Sequence, residues 1–129
     1  MSGNPILDLP YTPAAAITRF QLVKLSAANT VTPCTALGEL AWGVAQESVS
    51  TADVTNGRVV NVRLMGRARV IAGAALGAGV PVRTDATGKV VALAATTANQ
   101  KCVGFTECTS GASGDHIDII LTFAGEAST

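Results

Sequence analysis

The sequence predicts an all-β fold: a small β-barrel or β-tulip-like domain of short antiparallel strands, with an extended N-terminal arm. Three observations carry this. Apolar and polar residues alternate with period two through much of the chain beyond residue 16, the pattern of half-buried strands. Val, Ile and Thr dominate those runs, while Gly, Asn, Asp and Ser occupy the gaps between them. Only Ser50–Asn56 (STADVTN) and Gly73–Ala78 could form a helical turn or two. Many short strands separated by turn residues pack as barrels or sandwiches.

The elements follow in order. Residues 1–16 hold Pro5, Pro10 and Pro13, which forbid a regular helix and favour extended backbone. Ile6, Leu7, Leu9 and Tyr11 make this arm apolar, so it reads as a segment that packs against a partner. The barrel domain spans 17–124. Its first strand lies in AITRFQLVKLS, where Phe20 and Leu22 share one face and Arg19, Gln21, Val23 and Leu25 the other. Further strands are expected at Asn29–Cys34, Leu40–Gln46, Arg58–Leu64, Arg67–Ala72, Val80–Thr84, Lys89–Leu93, Lys101–Glu107 and His116–Phe123. Residues 125–129 read as a flexible tail. The stretches AWGVAQESVSTADVTNGRVVNVRLMG and KCVGFTECTSGASGDHIDIILTFAG echo one another: Gly43 matches Gly104, and Gly57 matches Gly114. They predict two equivalent hairpins.

Composition narrows the function. At 129 residues the chain is one domain, able to bury roughly two-thirds of its unfolded surface without disulfides or metals. Nine basic and nine acidic side chains cancel, which removes the electrostatic footprint of a nucleic-acid binder. Charged residues are 14 % of the chain against about 25 % in an average globular protein. A surface with so few charges is expected to be partly covered by other protein. Cys34, Cys102 and Cys108 cannot all pair within one chain and lack CxxC spacing, so they are expected to be buried thiols made in a reducing compartment. The first residues lack the basic and apolar regions of a signal peptide, and no apolar run is long enough to span a membrane.

Little here suggests chemistry. His116 is the only histidine and has no ligand cluster at metal spacing. Cys108 with Glu107 and His116 is the one conceivable nucleophile set, and nothing in the sequence fixes its geometry. Neither catalytic residues, a cofactor nor a metal is expected. Arg63, Arg67 and Arg69 belong to the one local concentration of charge, a basic stripe that suits either solvent or a protein contact. Trp42 lies in the apolar run LAWGVA and is expected in the core. Glycines Gly73, Gly77 and Gly79 follow an apolar run as a phosphate loop would. Pro81 and the β-branched Val80 and Val82 then exclude the helix that a nucleotide requires. Asp85–Gly88 (DATG) reads instead as a hairpin turn closed by a left-handed glycine.

The ordered run RARVIAG, LGAGVPV, DATGKV and CVGFTE resembles the capsid decoration, or cement, proteins of tailed bacteriophages, over roughly Phe20–Phe123. The resemblance implies a β-barrel or β-tulip domain that sits on the outer surface of the assembled head. It further implies a homotrimer clamping the major capsid protein lattice, synthesis in the host cytoplasm, and an N-terminal arm over the shell. PILDLPYTP matches no family motif, so its docking role rests on composition. Ile6, Leu7, Leu9, Tyr11, Arg63, Arg67 and Arg69 are the interface candidates, with neither nucleic acid nor membrane as partner. The rival reading is a small β-barrel ligand- or glycan-binding module of a phage tail or fibre, which requires an exposed aromatic platform.

Overall fold

We analysed a computed structural model of the chain, which describes residues 5–93, 100–121 and 126–127. Among these residues, eleven strands and one short helix follow in the order β1 Pro5–Pro13, β2 Leu22–Ala27, β3 Thr30–Pro33, β4 Gly43–Ala45, α1 Thr51–Thr55, β5 Val60–Ile71, β6 Pro81–Thr84, β7 Val90–Ala92, β8 Gln100–Lys101, β9 Gly104–Thr106, β10 His116–Leu121 and β11 Glu126–Ala127. The all-β expectation holds. The helix falls in STADVTN, where Ser50 and Asp53 form a reciprocal capping box that satisfies first-turn N–H groups. Gly73–Ala78 contains no helix. Of the expected tail, Glu126–Ala127 form β11, paired with β8; Phe123 and the rest of the tail lie outside the described residues.

Nine strands form one sheet in the order β1-β3-β2-β4-β5-β10-β9-β6-β7, and β1 also pairs with β5. That extra pairing closes β1, β3, β2, β4 and β5 into a five-stranded barrel. Its interior holds Tyr11, Ile17, Val23, Val31, Ala45, Val49, Val60 and Val62. The residues expected to form two strands, Arg58–Leu64 and Arg67–Ala72, are one twelve-residue strand through Gly66. Gly66 adopts φ 99° and is opposite both Pro5 of β1 and Leu121 of β10. One partner strand therefore ends where the next begins, and the ladder continues across the glycine.

The remaining strands repeat this plan, which extends the echo beyond the two hairpins. The parallel contact Pro13↔Val31 recurs as Ala72↔Val90, and Ile17↔Val49 recurs as Leu76↔Ser110. The pair Tyr11↔Val60 recurs as Val70↔Ile117, and Val44↔Arg63 as Ile120↔Phe105. Irregular backbone recurs as well: Phe20 N–H donates to Ala45 O as Gly79 N–H does to Thr106 O, both at 2.8 Å. Phe20 and Gly79 are left-handed at φ 70° and 73°, as are Asn29 and Gly88 at 56° and 81°. The molecule thus consists of two copies of one β plan. The second half of β5 plays in the second copy the part that β1 plays in the first.

Alternation explains how the copies join. Leu22 and Val23 are both fully buried, yet neighbours on a strand face opposite ways. Val23 points into the first barrel. Leu22, with Val44, Ala41 and Cys34, joins the second copy's core of Ala68, Val70, Ala72, Leu76, Val82, Val90, Val103, Ile117, Ile119 and Leu121. The apolar character of both faces of this strand, read from the sequence, serves two cores.

Candidate docking surface

The residues expected in the arm are part of the barrel wall. From Tyr11 to Asp8, β1 runs antiparallel to Val60–Arg63 of β5. Tyr11 is buried in the first core and is therefore not available to a partner. Leu7 and Leu9 are 36 % and 39 % exposed. Ile6 belongs to β1 by its backbone, and its side chain lies outside the described residues. The segment is held to its own barrel by its pairing with β5 and by Tyr11 in the barrel interior.

The basic stripe proves to be neutralised. Arg63 is almost wholly buried and grips Asp8 of β1 with two bonds, Nε to Oδ1 at 2.9 Å and Nη2 to Oδ2 at 3.1 Å. Its Nη1 donates to the Arg67 carbonyl at 3.2 Å. Such a bidentate, partly desolvated pair is a clasp between strands. Arg67 pairs with Glu107 (Nη2 to Oε2, 3.0 Å), and Arg69 with Asp118 at 3.4 Å. Lys24–Glu39, Arg58–Glu47 and Arg58–Asp53 are further ion pairs. The face the sequence marks as positive therefore carries little uncompensated charge.

Trp42 departs from the core expectation. It is 36 % exposed, and its indole N–H donates to the Tyr11 hydroxyl at 2.9 Å. With Leu7, Leu40, Ala41, Leu64 and Met65 it lines a groove of about 450 Å³. Leu40 and Met65 are 55 % and 49 % exposed. The loop that supplies Leu40 to Trp42 is pinned by Glu39. Its Oε1 accepts the Ala36 N–H at 3.0 Å and also the Thr35 N–H, and its Oε2 meets Lys24 Nζ at 3.2 Å. Partial burial pushes the Glu39 carboxyl up, but the Ala36 and Thr35 N–H groups and Lys24 outweigh it and hold it below the usual carboxylate range. Gly38 N–H donates to Thr84 O at 2.8 Å, tying this loop to the second copy.

Sequence reasoning missed the groove because Trp42 and Leu40 lie in a run that looks like any buried strand. One signal was present. In the echo Trp42 precedes Gly43 as Val103 precedes Gly104, so a large amphipathic ring stands where the second copy has a plain core residue.

Burial pushes the Cys34 thiol up to about 12 and raises that of Cys102, which keeps both protonated at neutral pH and poor as nucleophiles. Cys108 is exposed, contrary to expectation. Its Sγ accepts the Asp118 N–H at 3.4 Å, while His116 packs edge-on against Phe20 with ring centres 5.5 Å apart. A cluster of His, Cys, Asp and Glu able to hold a metal is absent among the described residues.

Comparison with known proteins adds two findings. The family model described as phage cement protein matches residues 1–121. Among solved structures, the head fiber gp8.5 N base of bacteriophage phi29 is similar in fold, with a TM-score of 0.66 at 16 % identity over 90 % of this chain and 93 % of that one. No curated protein sequence matches.

Proposed function

The chain belongs to the phage cement protein family, and on that premise we propose that it binds the outer surface of the assembled head and ties neighbouring major capsid subunits together. The match across residues 1–121 carries this reading. Binding is by surface complementarity, without catalysis, cofactor or nucleic acid, and the working unit is a homotrimer. The face formed by β1, the Leu40–Trp42 loop and the middle of β5 fits a docking role, since Leu7, Leu40, Trp42 and Met65 are left exposed on it. Monomeric proteins seldom leave large apolar patches uncovered unless a partner meets them. Many identical weak contacts on a shell sum to firm attachment, so the lattice should bind far better than a lone capsid subunit. Imaging undecorated expanded heads mixed with purified protein tests this, and added density on the outside is the expected result. Bare heads at saturating protein would refute it. A solution mass of three chains is expected, and a monomer mass would remove the trimer.

One observation favours a second reading, a ligand- or glycan-binding module of a tail or fibre: Trp42 is exposed. Its only polar atom is already bonded to Tyr11, and the other five groove side chains are aliphatic or thioether. Sugar hydroxyls would go unpaired against such a wall. This reading ranks second, and quenching of Trp42 fluorescence by sugars would promote it.

A further inference from the structure

The two copies of the β plan allow a comparison within one chain. Trp42 N–H donates to Val23 O just as Val103 N–H donates to Val82 O, so Trp42 and Val103 hold the same structural position. Tyr11 and Val70 correspond likewise through their pairings with Val60 and Ile117. In the second copy both positions are ordinary core: Val70 is fully buried and Val103 1 % exposed. In the first copy they hold the hydrogen-bonded Tyr11–Trp42 pair, whose indole forms one wall of an open groove. The β plan does not require that groove, since its other copy fills the same positions with two valines.

We propose that the Trp42 groove is the anchor pocket for an apolar side chain of the head shell protein. The assignment rests on the head-binding reading above and names its contact. Three features select this occupant. The groove presents carbon and sulfur, with its one N–H already used, so it rewards an aliphatic or aromatic side chain and penalises a polar one. Charge recognition is weak, because the chain has no net charge and its Arg63, Arg67 and Arg69 are each paired internally. A contact confined to the groove's six lining residues is far smaller than the roughly 20–30 per side that a stable pair of free proteins buries. A second copy seated here alone would not hold, whereas one small pocket repeated over a shell suffices.

The contact is side-chain insertion and not strand addition. On the edge of β1 that faces away from β5, Thr12 N–H already donates to Asn29 O. Pro10, two residues before it, has no N–H to offer. The β1–β5 register shifts on either side of Leu7 break the ladder nearer the strand's start. Prolines and bulges of this kind blunt an edge against added strands.

The test compares full-length protein with Leu40→Lys and Met65→Lys, both at exposed groove positions, and with Leu37→Lys as control. Leu37 is 51 % exposed on the same loop and does not line the groove. Each is titrated onto undecorated heads at low and high salt, with melting temperature and solution mass measured alongside. Expected are tenfold or greater losses of affinity for the two groove variants, on the order of what one mispaired anchor costs. The control should bind within about twofold of wild type, and wild-type binding should vary little with salt. Groove variants that bind as wild type does would overturn the assignment. So would a groove variant whose solution mass drops, because the occupant would then be another copy of this chain. If wild type itself fails to bind heads, the head-binding reading falls first, which separates the two failures.

Discussion

Phe20 occupies the left-handed region at φ 70°, where its counterpart in the second copy is Gly79. A bulky residue there costs about 1 kcal/mol of backbone strain. The compensation is visible. Phe20 is buried, at 7 % exposure. Its ring meets His116 of the other copy edge-on, and the Arg19 guanidinium lies 4.6 Å above its centre. Removing a buried aromatic costs about 3–5 kcal/mol, so burial outweighs strain. Phe20→Ala should therefore destabilise by roughly 3 kcal/mol, as it loses the ring and keeps the strain. Phe20→Gly should fall short of that loss by about 1 kcal/mol because glycine tolerates the angle. Denaturant titration of both variants checks the order, and an alanine variant as stable as wild type would contradict it.

At the scale of an element, the loop from Thr35 to Trp42 depends on one carboxylate. Glu39 holds two N–H groups and Lys24, and its pKa is lower in the fold than in the open chain. A depressed carboxylate pKa gives a contribution that is complete above the unfolded value and disappears as pH falls through the folded one. The loop should be unaffected by pH from neutrality down to the ordinary carboxylate range, then loosen in stronger acid. Trp42 ends this loop and is the chain's only tryptophan, so its emission reports the change directly. Glu39→Gln should abolish the acid step, and an identical step in that variant would assign it elsewhere. The other end of the groove is set by β1, whose Leu7 is held in place through the neighbouring Asp8–Arg63 clasp.

For the whole molecule, the two copies share β5, and the second core incorporates Leu22, Cys34, Ala41 and Val44 of the first. The second core is therefore completed by the first copy, so the molecule should melt as one unit. Deleting residues 1–13 removes the first barrel's closing strand, the buried Tyr11 and the carboxylate that neutralises buried Arg63. A freely extended arm would be dispensable to the fold. A barrel strand is not, and the truncated protein should lose its cooperative transition in far-ultraviolet circular dichroism. A truncated chain that melts with wild-type cooperativity would mean that β1 is peripheral.

The legible part of the sequence was what local chemistry imposes. Alternation located most strands because one face of each is buried, and the Asp85–Gly88 turn appears as read, with Gly88 at φ 81° and Asp85 N–H bonded to Lys89 O. The echo showed through Gly43 and Gly104 because any side chain there collides with backbone. A Cβ on Gly43 would lie 2.5 Å from Arg63 O, and one on Gly104 would strike Ile120 O. The first halves of the copies hid their kinship, since Phe20 and Asn29 hold the left-handed angles that Gly79 and Gly88 hold later. Tertiary structure alone decided three things: that β1 belongs to the barrel, that the arginine stripe is spent on internal pairs, and that Trp42 faces outward. Each depends on partners far apart in the chain, such as Asp8 and Arg63 or Tyr11 and Trp42. Alternation along a strand says which residues share a face; only the closed sheet says what that face meets.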